Sequence, residues 1–296
     1  MTIDTIDHVQ AIRKRQAVST TALAWASTLA RLPLSVTISV LIALFFILGA
    51  LAPSLLSTHS PFDTDLLGAL TPPSAAHLLG TDDIGRDLYS RIVWGTRESL
   101  SIGLGVMAVA MTGAMVLGFS AALGPRWISE PINRFIEVLL AFPTLLLALL
   151  FVALLGASAT SLLISVGIGT TPGYARLIRA QALKVRGSGY VEAAIALGHA
   201  RRTIFLQHIL PNAFRPLVAL VALGIGQSVV WASGLSFLGL GVAPPSPEWG
   251  ALLEAGKANI TFAWWLEIFP GLAIVLVALS FTQIGRYIQD RMEGSR

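Results

Sequence analysis

The chain has 296 residues, a formal net charge of +4 and only 12% charged residues, with a mean hydropathy of +0.74. A soluble protein of this length carries about 25% charged residues, so the composition excludes a water-soluble enzyme and points to an all-α polytopic membrane protein. With 0 cysteines, disulfides and thiolate metal sites are ruled out. The basic excess invites a nucleic-acid reading, but the placement of the arginines and lysines along the chain accounts for it better.

Residues 1–33 are polar and basic, with Arg13, Lys14 and Arg15, and read as a cytosolic segment. An apolar run at 34–56 follows. Ala50-Leu51-Ala52 mimics a signal-peptide cleavage site. However, the basic stretch ahead is too long for a signal n-region, and the run is long enough to span a bilayer. It is expected to be an uncleaved first transmembrane helix. Residues 57–99, rich in Pro and Asp, read as an external loop. Apolar runs at 100–123, 135–155, 217–241 and 266–284 supply further spans. A weaker run at 160–174 is broken by Gly167, Gly169 and Thr170-Thr171-Pro172-Gly173. On this reading 100–285 is a five-helix core with a polar loop at 176–213, and 286–296 is a cytosolic tail.

Charge placement decides the weak segment. With six spans and the N-terminus inside, 16 of the 20 Lys and Arg are cytosolic. Only Arg86, Arg91, Arg97 and Lys257 fall outside. Removing the weak span puts the basic 176–213 loop outside and reverses the positive-inside bias. Six crossings, both termini cytosolic, are therefore expected, with the Gly-Pro break near the cytosolic end, where water satisfies the backbone. Gly103, Gly105, Gly113, Gly118, Gly224 and Gly226 suit close helix packing in lipid.

Three motifs stand out. The first is Gly80-Thr81-Asp82-Asp83-x-Gly85-Arg86-Asp87 in the outer loop. It reads as a turn in which Thr81 or Asp82 caps a helix and Arg86 pairs with Asp82 or Asp87. A metal site from His77, Asp82, Asp83 and Asp87 is not expected, because the adjacent arginines compete for the carboxylates. The second is Glu192-Ala193-Ala194-x-x-x-Gly198, running on to Leu210-Pro211-Asn212. It reads as a helix over 190–197, a turn at Gly198, and a second helix over 200–210 that Pro211 stops. The third is Leu235-Ser236-Phe237-Leu238-Gly239-Leu240-Gly241 with Pro244-Pro245-x-Pro247-Glu248-Trp249-Gly250. Its prolines and glycines end the fifth span, and Trp249, Trp264 and Trp265 suit the membrane interface. Glu137, within an apolar run, reads as lying near the cytosolic mouth beside Arg134. Gly256-Lys257 lacks the spacing of a phosphate loop.

Together the three motifs resemble the C-type permease subunit of the dipeptide, oligopeptide and nickel ATP-binding-cassette importer family. The likeness covers roughly residues 77–252. It implies a six-helix type I importer permease fold in a bacterial inner membrane. It also implies a second permease as heterodimer partner, two cytosolic ATPase subunits, an external solute-binding protein, and no cofactor or catalytic residue in this chain. Glu192, Ala193, Ala194, Gly198, Leu210 and Pro211 would then form the ATPase-coupling loop. Gly80, Thr81, Asp82, Gly85, Arg86 and Asp87 would be a structural element. The chain departs from the family pattern at His208, where isoleucine is usual, and at Gly169-Thr170-Thr171-Pro172. The alternative is a proton-coupled carrier, which calls for repeated halves and several intramembrane ionisable groups.

Overall fold

The computed structural model describes residues 33–293, and the expectations for the basic N-terminal segment and the last three residues lie outside them. Among the described residues the regular structure is helical, apart from an isolated bridge between Thr81 and Asp87. Helix α1 spans Leu34–Leu51, α2 Leu88–Leu123, α3 Arg126–Leu140, α4 Thr144–Leu155, α5 Ala159–Arg186 and α6 Gly189–Ala196. A turn at Arg201–Thr203 and a π-helical turn at Ile204–Ile209 lead into α7, Leu210–Leu235. Helix α8 spans Trp249–Gly256 and α9 Trp265–Glu293.

Among the described residues, four helices are long and apolar enough to cross a bilayer: α1, α2, α7 and α9. The pair α3 and α4 adds a fifth if taken as one broken span. The expected sixth, α5, has 28 residues but is too rich in Gly, Ser, Thr and basic side chains to meet the same criterion.

Several expected boundaries move for local reasons. Helix α1 stops at Leu51, because Pro53 cannot continue the ladder and starts a 3-10 turn. Helix α2 begins at Leu88 rather than near 100 and has 36 residues, about 54 Å of axis. Its charged first turns look like loop in sequence but are held by partners described below. The run at 135–155 is bent by 95° between α3 and α4, at Ala141-Phe142-Pro143. The break expected at Thr170-Thr171-Pro172-Gly173 does not occur, and α5 runs through it. Pro172 removes one donor there, while the Thr170 and Thr171 hydroxyls donate to the Val166 and Gly167 carbonyls at 2.9 and 2.8 Å. Residues 176–186, expected in the polar loop, are thus the end of α5. Likewise α9 continues to Glu293, so most of the expected tail is helix.

The largest helix interface joins α2 to α5, followed by that between α7 and α9. Both rest on small residues. A methyl added at Gly118 of α2 would lie 2.8 Å from the Ala175 carbonyl oxygen and 2.9 Å from the Ile178 Cβ. One added at Gly167 of α5 would lie 2.7 Å from the Val109 side chain. Across α7 and α9, one at Gly226 would lie 2.8 Å from the Ala278 carbonyl oxygen. Met107, Met111, Ala114, Ile178 and Leu217 are buried where α2, α5 and α7 meet. Much of α1 faces outward, with Leu34, Leu41 and Leu51 exposed as a lipid-facing helix requires.

These close approaches predict an asymmetry among glycine substitutions. Gly118→Leu should cost about 1–3 kcal/mol by overpacking and lower the thermal midpoint of the detergent-solubilised chain. Gly173→Ala, where an added methyl meets nothing within 4 Å, should not lower the midpoint, since alanine is the better helix former. Equal midpoints for the two variants would show that α2 and α5 do not pack as described.

Candidate functional site

Two elements carry the motifs, one at each end of the helix bundle. At the first, the end of α5 turns at Gly187 and Ser188 into α6. Val191 and Ala194, one helical turn apart, point inward and are 0% and 4% exposed. They pack with Val185, Ile204, Ile209 and Ala213, and with Phe119 and Leu123 of α2. This small core fastens α6 to α5, α2 and α7 together. The opposite face of α6 presents Glu192, Ala193 and Ile195 outward.

Gly198 follows with φ +78, the left-handed region that glycine enters without penalty. Its amide donates to the Ile195 carbonyl at 3.0 Å, and the His199 amide donates to that of Ala194 at 3.1 Å. The helix is thereby closed and the chain reverses. The turn at Gly198 therefore stands where it was expected.

Pro211, by contrast, does not stop a helix. It sits in the first turn of α7, where a missing amide proton costs little. The preceding π turn absorbs the register change, and the Asn212 side chain donates to the His208 carbonyl at 2.7 Å. Of the six residues expected to contact an ATPase, Glu192, Ala193, Gly198 and Pro211 are exposed, Leu210 is half-buried and Ala194 is buried. Sequence reasoning passed over Ile195, Leu197 and Leu206, apolar side chains 57%, 76% and 45% exposed beside them. The signal was available, since 191 and 194 mark the inward face of a helix and 195 and 197 fall off it.

At the other end, the Gly-Thr-Asp turn leads into α2. Asp82 is buried, and its Oδ1 accepts from the Ile84 and Arg86 amides at 3.1 and 2.9 Å. Its Oδ2 accepts from Arg86 Nε at 2.6 Å and lies 3.5 Å from Arg91 Nη1. Of the two carboxylates open to Arg86, Asp82 is therefore the partner. Arg91, 3% exposed, also donates to the Ser246 carbonyl at 3.4 Å. Asp87 caps α2, accepting from the Ser90 amide at 2.8 Å, so the cap is neither Thr81 nor Asp82. Its other oxygen meets His77 Nδ1 at 2.9 Å, and His59 Nδ1 lies 3.8 Å from the capping oxygen. The Thr81 hydroxyl donates to the Gly68 carbonyl at 2.6 Å. Gly80 and Gly85 both have φ +81. At Gly85 a methyl would lie 1.8 Å from the Asp65 carbonyl oxygen, so no larger residue fits.

The third motif locks onto this turn. Glu248, 1% exposed, caps α8 by accepting from the Gly250 and Ala251 amides, both at 2.9 Å. It also accepts from the hydroxyls of Ser99 at 3.3 Å and Ser236 at 2.5 Å. Trp249 is not at the interface, because it is fully buried and its indole donates to the Ile92 carbonyl at 2.9 Å. Trp265 is likewise buried and donates to the Thr81 carbonyl at 3.0 Å, whereas Trp264 is exposed as expected. Glu137 is exposed and pairs with Arg134 at 2.9 Å, beside a cleft of about 380 Å³ that Arg176 and Arg179 also line.

Comparison with known proteins places these elements in context. Residues 114–294 match the family described as binding-protein-dependent transport system inner membrane component. The dipeptide transport system permease protein DppC of Alkalihalophilus pseudofirmus is 39% identical, over 86% of this chain and 84% of its own length. The probable D,D-dipeptide transport system permease protein DdpC of Escherichia coli is 40% identical, over 88% and 87%. The glutathione transport system permease protein GsiD of Pectobacterium atrosepticum is 40% identical, over 78% and 76%. Among solved structures, an inward-facing form of the MetNI methionine ABC transporter aligns with TM-score 0.54 at 15% identity, covering 67% of this chain and 96% of that one. An amino acid ABC transporter crystallised with histidines aligns with the same TM-score, 0.54, at 16% identity, covering 68% and 94%. At these identities the structural likeness concerns the fold.

The Gly-Thr-Asp turn predicts an order of severity. Asp82→Ala leaves buried Arg91 without its nearest carboxylate and should cost about 3–5 kcal/mol. Asp87→Asn retains a capping oxygen and should cost about 1 kcal/mol. Proteolysis of the 57–87 segment and thermal unfolding of the solubilised chain should rank the two in that order. The reverse order would mean that the helix cap, not the buried ion pair, holds the turn.

Proposed function

Since the chain belongs to the family of binding-protein-dependent transport system inner membrane components, we propose that α6 and the turn at Gly198 are its contact with the ATPase that drives transport. The chain is a multi-pass permease subunit of an importer and leaves ATP hydrolysis to other subunits. The observation that carries the proposal is the two-sided character of α6. One face is built into the helix bundle through Val191 and Ala194, and the other offers Glu192, Ala193, Ile195 and Leu197 outward. Glu192 lies in the first turn of α6, where an acid is favoured by the helix dipole.

The proposal extends to the assembly. A second permease would pair with this one around a central path, two ATPases would bind from the cytosol, and an external protein would deliver the solute. Peptides are the proposed solute class, supported by the dipeptide and glutathione permeases among the relatives. We take the chain to cross the membrane six times with both termini cytosolic. The charge bias supports this, as does α5, whose 28 residues lie along the spanning helix α2. The residues from 57 to 87 and the start of α2 would face outward, and the helices from α2 to α9 would form the core. The alternative of a proton-coupled carrier gains nothing from Glu137, which is exposed and paired rather than buried.

Closure of the ATPases on ATP would draw the two coupling elements together. Because the small core at Val191 and Ala194 joins α6 to α5, α2 and α7, the bundle would follow as a unit and shift its equilibrium between inward-facing and outward-facing states.

Two substitutions test the coupling role. Gly198→Pro imposes φ near −65° on a residue that stands at +78°. Glu192→Lys replaces a favourable acid at a helix start with a cation. Both should abolish solute-stimulated ATP hydrolysis by the reconstituted complex while membrane insertion and pairing with the second permease persist. Full stimulation in both variants would remove α6 as the ATPase contact. A reporter fused after residue 296 should report a cytosolic C-terminus, and an external one would overturn the six-crossing topology.

A further inference from the structure

We propose that His59, His77 and Asp87 form a binding site for a divalent transition-metal ion of the zinc class on the outer end of the molecule. Among the described residues, these three bring one donor atom each to within 4.8 Å of one another. The Asp87 carboxylate lies 2.9 Å from His77 Nδ1 and 3.8 Å from His59 Nδ1. Zinc bonds of about 2.0–2.1 Å in tetrahedral geometry put neighbouring donors about 3.3–3.4 Å apart. The two observed spacings, one to each oxygen of the carboxylate, bracket that value. The two imidazole rings lie 4.9 Å apart at 34°, both against the same carboxylate.

The donor set argues for the metal class. Two imidazole nitrogens and one carboxylate suit zinc and its neighbours, whereas calcium and magnesium require oxygen donors. Three protein ligands leave a fourth position, and the 44% exposed His59 side chain puts that position on the solvent side. Arginines competing for the carboxylates would count against a metal here. Arg86 and Arg91 engage Asp82, and Asp87 is left to the histidines.

The Asp87 carboxylate and the backbones that carry the two histidines are also held before any ion arrives, and His59 Nδ1 lies 3.0 Å from the Thr58 hydroxyl, which an ion would displace. The Asp87 oxygen nearer His59 accepts from the Ser90 amide at 2.8 Å. The Ser90 hydroxyl accepts from the His59 amide at 3.0 Å. The His77 amide donates to the Ser74 hydroxyl at 3.1 Å, and the His77 carbonyl accepts from the Ser74 and Gly80 amides at 2.8 and 3.0 Å. The bond from the Ser90 amide orients the carboxylate, and the backbone bonds fix where each histidine side chain starts. The positive end of the α2 dipole disfavours a cation at this place, and the Asp87 charge opposes it. A bound ion would tie residue 59, just past the end of α1, to residue 77 and to the first turn of α2. It would thereby fasten the outer segment at three points.

The test uses the full chain in detergent, purified without a polyhistidine tag and stripped with a chelator. Zinc titration should give one ion per chain. Bound cobalt should show the intense visible bands of a tetrahedral site. His59→Ala and His77→Ala keep the Asp87 cap on α2, and each should weaken zinc binding at least about tenfold. His59→Cys, the one thiol in a chain with 0 cysteines, should restore binding and add a sulfur-to-cobalt charge-transfer band. If the chain binds no zinc, or binds it equally well in both alanine variants, the site does not exist. If the cysteine variant stays as weak as His59→Ala, residue 59 is not a ligand and the proposal falls.

Discussion

The close approach of α2 and α5 through glycine is the contact on which the rest of the bundle depends. In lipid, apolar side chains gain little by meeting each other, because lipid tails are equally apolar. Association therefore rests on tight packing of small residues. Gly118 lets α2 reach the backbone of α5 at Ala175, and Gly167 lets α5 reach Val109 of α2. The same device recurs between α7 and α9, where Gly226 meets Ala278 and Gly285 meets Leu223. Helix α5 is too polar to count as a span on composition alone. Alongside α2 it buries Val166, Ala175 and Ile178, and the Thr170 and Thr171 hydroxyls return to its own carbonyls. Its stability belongs to the pair rather than to the segment.

The end of the bundle that carries Asp82, Asp87 and Glu248 is organised by a different rule. Asp82, Asp87 and Glu248 are all buried, and each accepts from backbone amides at a turn or a helix start. A buried carboxylate is expensive unless its oxygens are filled, and here they are filled by groups that would otherwise be orphaned donors. Such pairs add little net stability, but breaking one strands the other charge. They therefore specify one arrangement rather than deepen its energy. Gly85 shows how strict that arrangement is, since it leaves no room for a methyl against Asp65. Through Arg91 to Ser246, Ser99 to Glu248 and Trp249 to Ile92, the start of α2 is joined to a segment about 150 residues later in the chain.

Apolar length made the long helices legible, and Gly198 made the turn after α6 legible. What stayed hidden was whatever depended on a distant partner. The first turns of α2 read as loop because Arg91 and Arg97 are charged, and only the fold supplies Asp82 and the Ser246 carbonyl for Arg91. Trp249 read as an interface residue because the Ile92 carbonyl that its indole meets lies 157 residues away. Pro211 and Pro172 read as helix breakers because the π turn ahead of the first, and the hydroxyl-to-carbonyl bonds beside the second, are not patterns of single residues. His59 passed unnoticed for the same reason. Its closeness to Asp87 is a property of the fold and not of spacing in the chain.

Helix α6 shows how a short motif is tied to the whole bundle. A helix of 8 residues is too short to be stable alone, so α6 exists only while Val191 and Ala194 stay buried. The residues that bury them come from the ends of α5 and α2, the π turn and the start of α7. A push on the exposed face of α6 cannot be absorbed by bending the loop without exposing that core. On the far side of Gly198, the chain enters α7 through a continuous π-to-α passage rather than a break at Pro211. Both ends of the element are therefore tied to long helices, and those helices pack on α2. In the coupling role proposed above, a displacement of α6 would pass to α5 and α7 as a unit through this core.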